Sequence, residues 1–599
     1  MSFGKLEFIL YVGEEALPVT DAEIIILNTD TADIFSNKVL KVDSNGKSKP
    51  VSLYTYERYL SEEPDASIKP YKTYDAIIIS NTLQNKYIKN IPIFAGITSI
   101  QKVQMTPKAR WLNAIDIIDI PPNGLIASEE VIAEEKIGVK NIAMEASNEK
   151  GEKILKEVVI PEYITVHLGS PNSSAQNVTV LFTDYLKNVA SSEIYPTWPR
   201  AALESNIYAQ ISFTLNRIYT EWYRSRGYDF DITNSTAYDH YFVNGRNIYD
   251  TISEVVDDIF NEYISRIQFK EPLLAQYCNG TTVTCDGLSQ WGTVSYADQG
   301  YDAFKILQVY YGNNIELRTA NYEYGTIQSY PGKALRVGDS GEDVKTIQMQ
   351  LNRIRKNYPE IPEITNVNGE FNEATKNAVK TFQKIFNLTQ DGIVGKQTWY
   401  KISQIYVGVK KLAELNSEGE KLPLPETAPT ETIRLGAEGE NVKIAQYLLA
   451  VIGAFYDEIL PVKITGKYDN ETEESVRSFQ RQFNLTVDGI IGPKTWSKLI
   501  EVYKTLEPYI LDSSGKFIKY PGYVLKRGKR GESVRLIQTW LDAINSKYPF
   551  IPAVTVDGIF GDRTREAVMI FQRWAGLVDD GIVGKLTWDK LYEVYRSVV

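Results

Sequence analysis

The sequence predicts a multidomain chain: an N-terminal β-sandwich, a central α+β domain and three small three-helix domains in the C-terminal half. Three observations predict it. At 599 residues the chain is several times longer than a usual domain, which holds roughly 100 to 200 residues. The first 110 residues alternate apolar and polar positions in short runs, and after residue 335 one set of motifs recurs three times. Composition is that of a globular protein, 43% hydrophobic and 24% charged. It contains no apolar run of about 18 residues, the length that crosses a bilayer, so membrane insertion is not expected.

Residues 1–110 carry "KLEFILYV", "AEIIIL", "TYDAIIIS" and "ITSIQKVQM", separated by turn clusters such as "SNGKS". Period-two alternation between turn residues is the mark of half-buried strands, hence a small β-sandwich. The order of these runs is similar to the carboxypeptidase regulatory-type, prealbumin-like fold, which implies a structural or adhesive role. Residues 111–165, with "IDIIDIPPNGLIASEEVIAEEKIG", form a connecting region to which no fold is assigned. The start of the chain has one lysine before a short patch interrupted by Glu14 and Glu15, so no secretory signal is expected. Action outside a cell would then follow lysis, another export route, or release from a spore or a particle.

Between 166 and 325 the chemistry-bearing motifs gather. "WPRAALESNIYAQISFTLNRIY" reads as a helix with Pro199 in its first turn and Ala202, Ile207, Ile211, Leu215 and Ile218 at buried spacing. Downstream, Ser289, Gln290 and Trp291 open another helix after a glycine-rich turn. The segment "GLSQWG" (287–292), with Glu193, Pro196, Trp198 and Pro199 ahead of the long helix, resembles the stage II sporulation protein D domain. More closely, the arrangement resembles the clostridial spore cortex-lytic enzymes that carry this domain beside wall-binding tails. The resemblance implies a lytic transglycosylase, with Trp198, Ser289, Gln290 and Trp291 at the substrate. In that reaction one carboxylic acid protonates the glycosidic oxygen, then as carboxylate takes the proton of the muramyl 6-hydroxyl, which closes an anhydro ring.

The family pattern places its glutamate where this chain has Ala201. Glu204 lies three residues on, on the same helix face, and is the first candidate for the acid; its other reading is a solvated surface glutamate. Glu193 and Asp239 come next, Glu193 also reading as a helix-dipole partner. Cys278 and Cys285 lie in one turn-rich segment. A disulfide, two free thiols, or a zinc site completed by His240 and an acid or water are all open; the expectation is no metal and no cofactor.

The repeats span 330–412, 430–508 and 520–599. Each opens with a G-x-x-G turn and continues to a Phe-Gln pair, a "DGI(V/I)G" segment and a tryptophan; Gln383, Gln480 and Gln572 each precede Trp399, Trp496 and Trp588 by sixteen residues. Val344, Ile347 and Leu351, and again Val379, Phe382 and Phe386, recur at helical spacing, giving amphipathic helices that need each other's faces. Gly392, Gly489 and Gly581 fit positive φ. These motifs resemble the peptidoglycan-binding domain found on many wall hydrolases. The resemblance implies docking on wall glycan and stem peptide, with the six Gln and Trp residues either at the ligand or in the core. "LNSEGEKLPLPETAPTET" (415–432) and "YPG" at 330–332 and 520–522 read as linkers, so three separately tethered sites acting by avidity are expected. Residues 335–411, 433–506 and 524–599 together carry a net +6 and the remainder −17 of the total −11, which suits a polyanionic partner and no nucleic acid.

The reading is therefore a peptidoglycan-binding, cortex-type lytic transglycosylase of the spore or cell wall. Spore-coat or particle proteins are candidate partners. The alternatives are a wall-binding scaffold that has lost its acid, and a component of a phage-like particle.

Overall fold

Alternation over the first hundred residues builds two sheets. The computed structural model describes residues 2–13, 15–28, 38–64, 69–108, 115–126, 157–323, 330–417, 432–513, 524–575, 577 and 579–598. In order come β1 (Ser2–Val12), β2 (Leu17–Pro18), β3 (Ala22–Asn28), β4 (Lys38–Lys41), β5 (Val51–Thr55), β6 (Lys72–Ser80), β7 (Lys86–Ile93), β8 (Thr98–Gln104) and β9 (Asp116–Asp119). Strand β1 pairs antiparallel with β2 and β5 and parallel with β8. The other sheet runs β4-β3-β6-β7-β9. Leu6, Phe8 and Leu10 of β1 and Ile24, Ile78 and Ile88 of the second sheet are wholly buried. Every second side chain faces the core, as the alternation requires. Strand β9 lies in the stretch for which the sequence assigned no fold: it adds a parallel edge to β7.

The central domain contains β10 (Val159–Pro161), β11 (Tyr163–His167), β12 (Asn177–Leu181), α1 (Phe182–Glu193), α2 (Arg200–Tyr219), β13 (Ile232–Thr233), β14 (Ile248–Tyr249) and α3 (Asp250–Ile259). It continues with β15 (Glu262–Arg266), β16 (Tyr277–Cys278), β17 (Leu288–Ser289), α4 (Gln290–Asp298), α5 (Ala303–Tyr311), β18 (Ile315–Thr319) and β19 (Asn321–Glu323). β10 pairs with β19 and closes the domain on itself, so it begins at 159, inside the segment read as a connection. β14 leaves the domain to pair with β8 of the sandwich, which ties the two together. Helix α2 is its axis. Pro199 stands at its N-cap, and Ala202, Ile207, Ile211 and Leu215 are buried as their spacing predicts. Its polar residues are buried too, and they bond to neighbours: Asn206 to Thr293, Gln210 to Glu193, Asn216 to the carbonyl of Pro272.

Each repeat has three helices: α6 (Glu342–Ile354), α7 (Glu373–Ile385) and α8 (Lys396–Ser417); α9 (Glu440–Gly453), α10 (Asn470–Gln482) and α11 (Pro493–Ser513); α12 (Glu532–Lys547), α13 (Asp562–Trp574) and α14 (Lys585–Val598). The expected left-handed glycines are there, Gly392 at φ 74° with Lys376 and Lys380 side chains where a Cβ would stand. The chain divides into two compact units, Met1–Pro508 and Tyr509–Val599. This differs from the expectation of three tethered repeats, because repeats one and two dock on the body. Of the expected linkers, 418–431 and 520–522 lie outside the described residues. In the first unit, Tyr358 Oη donates to the carbonyl of Glu15 (2.5 Å), Asn357 to that of Ala16 (3.0 Å), and Lys396 Nζ to that of Asp258 (3.1 Å). Gln104 Nε2 donates to Asp457 Oδ1 of repeat two at 2.7 Å. The third repeat, in the other unit, has its own core, including Trp540, Phe571 and Trp588. Among the described residues no helix is long and apolar enough to cross a membrane.

Candidate active site and wall-binding repeats

Helix α1 ends on Glu193, which turns its carboxylate into the domain and is 7% exposed. Four parts of the fold meet there. Oε2 accepts from Gln210 Nε2 of α2 (2.7 Å) and from Tyr277 Oη of β16 (2.6 Å), while Oε1 accepts from the backbone N–H of Tyr241 (2.8 Å). Burial, and then the Glu193 charge, push the Tyr277 phenol well above its ordinary value, so it stays protonated as a donor. Tyr277 adjoins Cys278, which forms a disulfide with Cys285. Of the three states left open by the sequence, this is the one the structure contains, and both sulfurs are used in it. The loop is further ordered by Asn279 Oδ1, which accepts from the N–H groups of Thr281, Thr282 and Val283.

Beside this cluster lies His240, 1% exposed, bonded through Nδ1 to Tyr185 Oη at 2.9 Å. Burial, and then the Arg217 charge, push its pKa down to about 3. It is neutral at physiological pH. Among the described residues, its Nε2 and the Oε1 of Gln210 have no hydrogen-bond partner.

The other two acid candidates lie elsewhere. Glu204 accepts from Arg200 Nε at 2.7 Å on the surface, and the same guanidinium bonds Glu254 and Asp258. Six residues along α2 from Gln210, it points about 120° away from the Glu193 cluster. Asp239 is wholly buried: Oδ1 accepts from Arg217 Nε (2.9 Å), and Oδ2 from Tyr223 Oη, Thr233 Oγ1 and the Thr233 N–H. Arg217, 1% exposed, stacks on Phe213, Trp222 and Tyr223. That is an internal strut.

The residues expected at the substrate are placed as follows. Trp198 is buried, donates its indole N–H to the carbonyl of Ser61, and packs on Trp291 with ring centroids 4.9 Å apart. Ser289 caps α4 by accepting from the Gly292 N–H, and Gln290 and Trp291 are buried. The motif thus holds α4 against α2. In the repeats, Gln383 Nε2 donates to Asp391 Oδ1, to the carbonyl of Ile393 and to Thr398 Oγ1, and its Oε1 accepts from the Gly392 N–H. Gln480 and Gln572 repeat the pattern onto Gly489 and Gly581. Trp399, Trp496 and Trp588 are each 1% exposed. These six residues fix the loop and the core, and the surface of each repeat is supplied by others. Sequence reasoning missed Tyr277 and Gln210. Neither stands out by type, and only the fold brings them to Glu193.

Residues 340–402, 438–499 and 530–591 match the family model described as "Putative peptidoglycan binding domain". The chain is similar to the N-acetylmuramoyl-L-alanine amidase CwlL of Bacillus licheniformis, at 35% identity over 26% of this chain and 44% of that protein. It is similar to a spore cortex-lytic enzyme of Halalkalibacterium halodurans, at 31% identity over 17% of this chain and 31% of that one. An uncharacterized protein in the bpoA1 3' region of Kitasatospora aureofaciens shares 44% identity over 18% of this chain and 77% of its own length. Among solved structures, the SleB N-terminal domain shares 34% identity over 13% of this chain and 97% of that chain, with a TM-score of 0.11. The chain spans less than half the length of the amidases it matches.

Proposed function

We propose, from the three repeats that match the peptidoglycan-binding domain model, that the chain binds the bacterial wall and cleaves its glycan strand, with Glu193 as the acid. The observation that carries this is the buried Glu193 carboxylate with an amide, a phenol and a backbone N–H converging on it. The same glutamate stands in the motif that resembles the sporulation protein D domain. A carboxyl that gives a proton and then takes one must be held in a fixed position away from bulk water, and Glu193 is so held. Glu204 is paired with a guanidinium on the surface, and Asp239 is bound to the buried Arg217 guanidinium. In the proposed step, protonated Glu193 gives its proton to the glycosidic oxygen as the C–O bond breaks. The resulting carboxylate takes the proton of the muramyl 6-hydroxyl, whose oxygen bonds to the anomeric carbon and leaves an anhydro-muropeptide. Tyr277 and Gln210 orient the carboxylate for both transfers.

The test is product analysis on purified cortex and vegetative peptidoglycan. Glu193→Gln keeps the shape and removes the titratable proton, so release of anhydro-muropeptides should fall by at least roughly 10²-fold, while Glu204→Gln should retain the rate. Release of free stem peptides instead would move the activity to the amidase class named for three of the relatives. A second reading, a wall-binding scaffold, is favoured by Ala201 at the family's glutamate position. Binding without any released product would establish it.

A further inference from the structure

Repeats one and two use one common face to grip the body of the protein. The segment that follows the first helix of each repeat reads Tyr358-Pro359-Glu360, Tyr456-Asp457-Glu458 and Tyr548-Pro549-Phe550 in the three copies, aligned by the buried isoleucines Ile361, Ile459 and Ile551. In repeat one, Glu360 Oε1 accepts from Ser44 Oγ of the sandwich at 2.7 Å, and Asn387 donates to Glu7 Oε2 at 2.8 Å and accepts from Lys47 Nζ. In repeat two, Asp457 accepts from Gln104 and, through its carbonyl, from the Thr179 N–H. These faces are occupied.

The corresponding face of repeat three has different chemistry. Phe550 replaces the glutamates and is 53% exposed; Trp574 stands where repeats one and two have Ile385 and Gln482, and is 42% exposed. In the sequence, Gly576 takes the position of Asn387. The polar groups by which the first two repeats hold protein are gone. In their place Tyr548, Phe550 and Trp574 pack edge-on and tilted, with centroids 4.7 to 6.1 Å apart, into one aromatic platform. Arg573, next to Trp574 in the chain, is 68% exposed and paired with Asp579.

From this we infer that the Tyr548–Phe550–Trp574 face of repeat three is a glycan-binding site that stacks on the pyranose rings of the wall strand, and that repeats one and two have exchanged this role for structural docking. The inference rests on the reading of the chain as a peptidoglycan binder. Exposed aromatic planes offer the apolar CH faces of sugars a contact that polar hooks do not. The repeat carries 12 Lys and Arg against 9 Asp and Glu over 524–599, a balance that suits a strand bearing stem-peptide carboxylates.

The test uses the full chain and insoluble peptidoglycan, whole and stripped of stem peptides. Phe550→Ala with Trp574→Ala should weaken co-sedimentation with both preparations by roughly tenfold or more, the size of effect expected where aromatic anchors dominate a contact. Glu360→Ala, on the docked face of repeat one, should leave co-sedimentation unchanged. Both side chains are exposed, so an unchanged melting profile will separate loss of contact from loss of fold. Wild-type retention by the double variant overturns the inference. So does unchanged retention with a smaller hydrodynamic size, which would make the face a contact between copies. A wild-type chain that fails to sediment with either preparation overturns the underlying peptidoglycan reading instead.

Discussion

Asp239 and Glu204 show how neighbours decide what a carboxylate does. Asp239 and Arg217 are both within 1% of complete burial and face each other at 2.9 Å, so each is the other's counter-charge away from water. Removing one partner of such a pair leaves an ion in a medium that solvates it poorly. Asp239→Ala should therefore cost about 3–5 kcal/mol in a denaturant titration, and a loss under about 1 kcal/mol would mean that water reaches Arg217. Glu204, by contrast, shares a half-exposed guanidinium with two other acids, and exposed pairs are worth roughly 1 kcal/mol or less. Sequence spacing placed Glu204 correctly on α2 but could not give the rotation of the helix relative to the cluster. That rotation is set by which side of α2 packs on α1. Glu193 read as a dipole partner because its donors lie 17 and 84 residues away.

Local motifs were the most legible elements. Every hydrogen bond from the glutamine side chain to the loop after α7, α10 or α13 lies within 15 residues of it, so the repetition is visible in the chain itself. One side-chain amide there satisfies a buried glycine N–H, a buried threonine hydroxyl and a part-buried carbonyl. Gln572→Ala would strip partners from several groups at once, at about 1–3 kcal/mol for each group left unsatisfied. Calorimetry of the full chain should show the transition of the 509–599 unit moving down while that of the 1–508 unit stays. A glutamine that merely touched the wall would move neither. Elements built by distant pairing were not legible: β9 and β14 are four and two residues long, too short to show alternation, and each exists because a sandwich strand offers it an edge. Phe386 likewise read as part of an ordinary helix face, although it packs on Tyr358 where repeat one meets the sandwich.

The assembly of the first unit turns on charges that look like surface in the sequence. Glu15, Lys102 and Asp184 meet Lys401 of the first repeat: Lys102 Nζ lies 2.5 Å from Glu15 and 3.2 Å from Asp184, and Lys401 Nζ 2.9 Å from Glu15. The last pair is separated by 386 residues, which is why separate tethered repeats were expected. Burial works against the charge of Glu15, but Lys102 and then Lys401 outweigh it and hold the carboxyl well below the ordinary range. Burial, with Lys102 adding to it, wins at Lys401 itself, whose pKa falls despite Glu15. Glu15 is therefore the member that the cluster cannot lose. Since its folded pKa is depressed, the unfolded chain binds the extra proton. The contribution is full above the ordinary carboxyl pKa of 4.5 and declines as pH falls below it. Glu15→Gln should lower the stability of the 1–508 unit by about 3–5 kcal/mol at neutral pH, because two lysines then share one acid. It should also flatten the loss of stability below the ordinary carboxyl range. Glu15→Met combined with Lys401→Met removes both charges of the longest-range pair and restores apolar contact. It should cost less than the sum of the single changes, a coupling that a double-mutant cycle measures directly. Strict additivity would show that repeat one is held by Tyr358, Asn357 and Glu360 rather than by the buried charges.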